Sequence, residues 1–112
     1  MRVTRLQTLL AFLCLLLFSA FSVAEEYYID ITNKTGYTIM EMYVSPEDST
    51  EWEEDVLGSS VLRPHKARRI NLTGYSNPNF DIQLVDEDGD SYTFWKVDVS
   101  QIDLVVTIED ID

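Results

Sequence analysis

The chain has 112 residues, with 20 acidic and eight basic side chains. Residues 1–24 have the pattern of an export signal, so the mature chain has 88 residues (112 minus 24) and a net charge of −14, from six basic and 20 acidic residues. A chain of this size forms one small domain, 25–112, that buries about 60–65% of its unfolded surface, which excludes a multi-domain enzyme. It also lacks the basic surface that nucleic-acid binding requires.

The N-terminal segment carries Arg2 and Arg5, then an uncharged run over 9–21, then Ser22-Val23-Ala24. A basic start, a short apolar core and small residues before the cleavage point are typical of a secretory signal peptide. We expect cleavage after Ala24 and a periplasmic or secreted protein that is not membrane-embedded; an uncleaved anchor is the alternative. Cleavage would also remove Cys14, the only cysteine, and with it any disulfide, thiolate metal site or cysteine nucleophile.

Apolar residues in the mature chain recur with a period of two, in short runs separated by Gly, Pro, Asn and Asp. This pattern predicts an all-β domain, a small antiparallel β-sandwich that is immunoglobulin-like in the broad sense. A small open barrel is the alternative. Asp88-Gly89 is expected to form a hairpin turn. Six strands are predicted, with a seventh edge strand or helical turn possible at 53–57; the six are 27–32, 37–45, 68–73, 80–85, 92–99 and 102–108.

The predicted strands also assign inner and outer faces. Ile29, Ile31, Ile82 and Leu84 are expected to point into the core, as are the inner residues of the last strand, Leu104, Val106 and Ile108. Asp81 and Gln83 are expected on the outer face. Trp95 is expected in the core, in register with Val97 and Val99.

Seven different short motifs lie between residues 33 and 99. They are Asn33-x-Thr35-Gly36-Tyr37-Thr38-Ile39, Tyr43-Val44-Ser45-Pro46, Trp52-x-x-Asp55-x-Leu57-Gly58, Leu62-x-Pro64, Phe80-Asp81-Ile82, Asp88-Gly89 and Val97-Asp98-Val99. Over about residues 29–108 the chain resembles a family of small exported bacterial proteins of unknown function, members of which are often mislabelled as argininosuccinate lyase. The resemblance implies the fold and the location and supplies no activity.

The chain departs from that family pattern at three places. Two cysteines that the resemblance implies are replaced, one near Pro78 or Asn79 and one at Ser100. Glu53 follows the tryptophan where the family usually has glycine, and His65 follows Leu-x-Pro where a turn residue is usual. The missing cysteines mean that the domain is held by packing alone.

An acidic loop contains six carboxylates within nine residues and one tryptophan, Trp52. An exposed tryptophan often anchors a binding surface, so Trp52, Glu53, Glu54 and Asp55 are candidate partner-binding residues. The alternative is that Trp52 packs on the sandwich edge with Leu57. The basic residues cluster over 63–69 and are expected to pair with the acidic loop rather than to bind an anion. The six loop carboxylates are Glu47, Asp48, Glu51, Glu53, Glu54 and Asp55.

Asp86, Asp88 and Asp90 flank the predicted hairpin turn and are candidate Ca²⁺ ligands, because Ca²⁺ binds oxygen ligands in flexible geometry. The spacing does not fit a known calcium loop, and a simple Asp-Gly hairpin explains it as well. The acidic loop has the same two interpretations, a Ca²⁺ site or a solvated loop. No other cofactor is indicated.

No catalytic constellation is evident. His65 is the only histidine, and its position between Pro64 and Lys66 favours a solvated turn over a catalytic triad. We therefore expect a non-enzymatic, monomeric or weakly associating protein-binding module, inhibitor-like or immunity-like, whose acidic face contacts a basic protein partner. The alternatives are a calcium-binding or calcium-stabilised domain, and a carbohydrate- or envelope-binding domain that uses Trp52.

Overall fold

A computed structural model describes residues 26–112 of the chain. The predicted export signal over 1–24 and its cleavage point lie outside the described residues. Between residues 26 and 112 there is no helix with the length and apolar character needed to cross a membrane.

The described chain folds into two sheets of three strands each. This confirms the predicted all-β class and is consistent with a small β-sandwich. The first sheet has the order β3-β1-β6 and the second the order β2-β4-β5. The strands are β1 (Tyr27–Lys34), β2 (Ile39–Pro46), β3 (Ala67–Leu72), β4 (Asn79–Asp86), β5 (Ser91–Asp98) and β6 (Leu104–Thr107), and a 3₁₀ turn, Ile108–Asp110, follows.

The strand pairing is mostly antiparallel, with one exception. β4 is antiparallel to both of its neighbours, and β1 is antiparallel to β3 but parallel to β6. The predicted antiparallel sandwich is therefore confirmed as a mostly antiparallel one, in which the β1–β6 pair is the parallel exception. β6 follows β5, which belongs to the other sheet, so no hairpin sets its direction against β1.

The two sheets share one hydrophobic core. The alternating inner faces were predicted correctly at Ile29, Ile31, Ile82 and Leu84, which are all fully buried. The prediction that Ile108 points inward is wrong: β6 ends at Thr107, and Ile108 begins the 3₁₀ turn with 45% of its surface exposed.

The chain between β2 and β3 forms a long loop that is tied to β2 at two single bridges. Tyr43 pairs with Asp55, and Ile39 pairs with Leu62. The predicted seventh strand at 53–57 is therefore reduced to one bridge residue. β2 is an edge strand, and these bridges cover part of its free edge, which otherwise offers unpaired backbone groups to other chains.

A β-bulge in β5 overturns the expected core position of Trp95. The β4–β5 register shifts between Phe80 and Ile82, and Lys96 on β5 has a positive φ of 53°. The extra residue breaks the alternation, because two residues of β5 then lie opposite one residue of β4. Phe94 packs against the core, and Trp95 turns outward with 67% of its surface exposed.

The buried Asn33 at the end of β1 fixes the turn into β2. Its Nδ2 donates to the carbonyl oxygens of Tyr37 at 2.7 Å and Leu62 at 2.9 Å, and its Oδ1 accepts from the backbone N–H and the hydroxyl of Thr35. All polar groups of this fully buried amide are therefore paired, as buried polar side chains require.

Candidate functional site

A row of three residues crosses the outer face of the β2-β4-β5 sheet. Val44 on β2 pairs with Ile82 on β4, and both are buried in the core, so the next pair, Ser45 and Asp81, points to the opposite face. On β5 the bulge directs Trp95 to the same face. A hydroxyl, a carboxylate and an indole thus lie side by side on this face.

The acidic loop brings Trp52 over this row. The backbone N–H of Glu53 donates to the Ser45 hydroxyl at 2.9 Å, which holds the loop against the sheet. The ring centroids of Trp52 and Trp95 are 5.7 Å apart, with the planes tilted by 32°. The sequence suggested Leu57 as the residue against which Trp52 packs. In the structure, the aromatic ring in contact with Trp52 is that of Trp95.

The two tryptophans border a groove of about 90 Å³, which we call the tryptophan groove. Such a volume is well below the ~300–1,000 Å³ of ordinary small-molecule pockets. The groove therefore has room for one small group rather than for a cofactor. Its lining consists of Trp52 and Trp95, the carboxylate residues Glu51 and Asp81, and the hydroxyl residues Ser45, Ser49 and Thr50.

Asp81 lies at this groove with only 8% of its surface exposed. Its Oδ1 accepts a hydrogen bond of 2.9 Å from the backbone N–H of Lys96 in the bulge. Within residues 26–112, its Oδ2 accepts no hydrogen bond, and neither Lys96 nor any other cation forms an ion pair with it. No buried side-chain nitrogen or oxygen of these residues lacks a hydrogen-bond partner, so Oδ2 keeps contact with solvent.

The four residues predicted to contact a partner take different positions. Trp52 is half-buried, while Glu53 and Glu54 are exposed. Asp55 is held by the backbone: its Oδ1 accepts from the N–H groups of Met42 at 2.9 Å and Leu57 at 3.0 Å. Asp55 therefore anchors the loop to β2, and the surface available for contact here is formed by Trp52, Glu53 and Glu54.

Two tyrosines beside the loop have raised pKa values, to which nearby carboxylates contribute. Burial raises the pKa of Tyr43, and the carboxylates of Glu41 and Asp55 raise it further. Burial likewise raises the pKa of Tyr75, as does Glu53, whose Oε2 accepts a hydrogen bond of 3.2 Å from the Tyr75 hydroxyl. The loop and the sheet edge beneath it thus form one acidic surface.

The three candidate calcium ligands of the β4–β5 turn also come together. Carboxylate oxygens of Asp86, Asp88 and Asp90 lie within 4.8 Å of one another. Asp86, however, already uses both oxygens: Oδ1 accepts from the N–H groups of Asp88 and Asp90, and Oδ2 accepts from the buried Tyr92 hydroxyl at 2.8 Å. These hydrogen bonds explain the position of the Asp86 carboxylate without a metal ion.

The basic cluster does not pair with the acidic loop, contrary to expectation. Among the described residues, the one ion pair joins Arg69 on β3 to Asp30 on β1 at 2.8 Å, on the outer face of the other sheet. His65 is exposed and has a positive φ of 65°, in keeping with the predicted turn. The acidic loop is left without neutralising partners from residues 26–112.

A larger groove of about 370 Å³ lies at the start of β1, beside Glu26, Tyr27, Tyr28 and the segment 99–103. We place the candidate site at the tryptophan groove instead, because two indole rings and a buried carboxylate converge there.

Comparison with known proteins gives no relative: no protein-family model, no curated protein and no solved structure matches the chain. The resemblance to the exported family stays a prediction from the motifs. The chain is a small β-sandwich domain, and its candidate site is a pair of tryptophans, one exposed and one half-buried, on an acidic surface.

Proposed function

We propose that the protein is an exported, non-enzymatic binding module, inhibitor-like or immunity-like, that contacts a basic protein partner through the tryptophan groove and the acidic loop. The observation that carries this proposal is the exposed Trp95, which lies against Trp52 in a groove that Glu51 and Asp81 also line. Tryptophan is enriched among the residues that contribute most to protein–protein binding.

The charge distribution supports a basic partner. The mature chain would carry a net charge of −14, and within residues 26–112 no cation pairs with the loop carboxylates. Complementary charge accelerates association with a basic protein and disfavours acidic ones. The interaction should therefore weaken as ionic strength rises.

An affinity-capture experiment tests the proposal. The immobilised protein is exposed to extracytoplasmic extract of the cells that make it, beside the double variant Trp52→Ala/Trp95→Ala and the control Tyr28→Ala, which removes an exposed aromatic from the opposite sheet. We expect a basic protein to be retained by the wild type and the control and lost by the double variant. Equal retention by all three proteins would show that the groove is not the contact surface.

Carbohydrate or envelope binding is the second candidate function, and the exposure of Trp95 is the observation that favours it. A sugar ring could pack on the free indole face. Binding of an envelope oligosaccharide that perturbs the indole signal of Trp95, with no basic protein captured, would favour this candidate over the first.

A further inference from the structure

We propose that the tryptophan groove binds the cationic head of one arginine or lysine side chain of the partner, with Asp81 as its counter-ion. This inference rests on the proposed function and names the chemistry of its central contact. It starts from Asp81, which lines the groove with 8% of its residue surface exposed and whose Oδ2 remains accessible and accepts no hydrogen bond from residues 26–112.

The walls of the groove suit a cation. Indole rings attract an ammonium or guanidinium group that lies over their faces, and arginine stacks on them especially well. Trp52 and Trp95 border the groove, and Glu51 adds a second carboxylate at its rim. An acceptor oxygen that lines the same groove as two aromatic rings can provide a charged hydrogen bond while a ring face provides the cation–π contact.

The size of the groove limits the occupant. About 90 Å³ corresponds to roughly three water molecules of liquid volume, which fits a side-chain head and not a whole small molecule. The remaining contact area must therefore come from the surface around the groove, as it does when one basic residue of a protein is inserted into a partner.

A backbone hydrogen bond from Lys96 positions the Asp81 carboxylate. The bulge at Lys96 aims an N–H group at Oδ1, which fixes the rotamer of Asp81 and leaves Oδ2 free. The same bulge turns Trp95 outward. One backbone irregularity thus creates both the aromatic wall and the oriented acceptor, which agrees with the frequent presence of bulges at functional sites.

Titration with small probes, followed by NMR on the ¹⁵N-labelled protein at constant ionic strength, tests the inference. N-acetyl-argininamide and N-acetyl-lysinamide are the probes, and N-acetyl-citrullinamide is the neutral control of the same shape as the first. We expect saturable shifts of the two indole N–H signals and the Lys96 amide, with a dissociation constant on the order of 10 mM for a contact of one side chain. Citrullinamide should produce no saturable shift at these positions.

Asp81→Asn keeps the shape of the side chain and an acceptor for Lys96 but removes the charge. It should weaken argininamide binding by about tenfold, since it removes a charge-assisted hydrogen bond. Glu87→Gln, in the exposed β4–β5 turn, makes the same change of net charge and should leave binding within about twofold. If Asp81→Asn does not fold, Trp95→Leu serves in its place, because Trp95 is mostly exposed.

The inference is overturned if neither cationic probe shifts the groove signals, if citrullinamide binds as well as argininamide, or if both charge variants lose binding equally. Tighter binding of free choline than of either amino-acid probe would also overturn it, in favour of a lipid or osmolyte headgroup. The titration and the capture experiment can be distinguished. If a basic protein is captured but the probes do not shift the groove signals, Asp81 is rejected as the counter-ion, while the proposal of a protein-binding module is retained.

Discussion

Trp52 and Trp95 belong to different parts of the chain, a loop and a bulged strand, yet their ring centroids lie 5.7 Å apart on the outer face of one sheet. Asp81 and Ser45 line the same groove as the pair; they point outward and are nevertheless buried. Two aromatic rings in contact at the surface, beside a carboxylate, are more informative than either ring alone, because contiguous exposed apolar patches mark interaction sites whereas single exposed apolar residues are ordinary.

Trp95 is expected to contribute little to the stability of the fold. Because the side chain is 67% exposed, Trp95→Ala should lower the free energy of unfolding by no more than about 1 kcal/mol. Phe80→Ala, at a fully buried position, should lower it by about 3–5 kcal/mol. Urea denaturation of the two variants measures both losses. Similar losses of unfolding free energy would contradict the exposed position of Trp95 and indicate that it packs in the core.

Asp86 is predicted to be essential for the β4–β5 turn. Asp86→Ala removes the acceptor of two backbone N–H groups and of the Tyr92 hydroxyl, so the unfolding free energy should fall by about 2–4 kcal/mol. Asp88→Asn changes an exposed side chain and should cost no more than about 0.5 kcal/mol.

The same two variants address the calcium alternative. We expect the melting temperatures of the wild type and of Asp88→Asn to be unchanged by millimolar Ca²⁺, because the turn is already satisfied by its own hydrogen bonds. A melting temperature that rises with Ca²⁺ concentration in the wild type and not in Asp88→Asn would instead establish a calcium-stabilised domain.

Tyr92 gives the protein a defined sensitivity to alkaline pH. Burial and the adjacent Asp86 carboxylate raise the pKa of Tyr92 from 10.0 to about 12. The folded state holds this proton more tightly than the unfolded chain, so the associated stability is fully present below pH 10 and is lost as the pH rises toward 12. Unfolding free energies measured across this interval should decline.

Tyr92→Phe separates this contribution from those of the other tyrosines. The variant should be less stable at neutral pH, because Asp86 loses a donor, but its stability should decline less steeply above pH 10. Tyr43 and Tyr75, whose pKa values are also raised, are still present in the variant, so part of the decline in stability with pH should persist. Identical slopes in the wild type and the variant would contradict the account, as would a Tyr92 phenol that ionises near pH 10 in ultraviolet titration.

Asn33 is predicted to be as important to folding as an apolar core residue. Asn33→Ala would leave the carbonyl oxygens of Tyr37 and Leu62 and the Thr35 N–H without their partner, so we expect a loss of about 2–4 kcal/mol. Asn71→Ala, an exposed asparagine on β3, is the matched control and should change stability by about 0.5 kcal/mol or less. Equal losses in the two variants would refute the role of the buried amide.

The alternation of apolar residues predicted the strands and most of their inner faces, because a half-buried strand has to repeat with period two. It predicted Ile82 and Leu84 inward and Asp81 outward, as the structure shows. It failed at Trp95, because a bulge with a positive φ at lysine has no sequence signature. The parallel pairing of β6 with β1 was also missed, since it depends on how the chain crosses between sheets.

The candidate site was only partly predictable. Trp52 and the acidic loop were identified from the run of carboxylates around the tryptophan, but the contribution of Asp81 was not, because Asp81 appeared as one outward-facing polar residue among several. Its burial depends on a loop from about 30 residues away in sequence and on the bulge in β5, which are tertiary relationships.

Site-specific photo-crosslinking tests the central claim, that the tryptophan groove contacts a basic protein, most directly. A photoreactive residue replaces Thr50, at the exposed rim of the groove, or Val105, which is exposed on the other sheet and serves as the control. After irradiation in extracytoplasmic extract, the account predicts a covalent adduct with a basic protein from position 50 and none from position 105. Equal adducts from both positions, or an adduct at position 50 with acidic proteins, would contradict it.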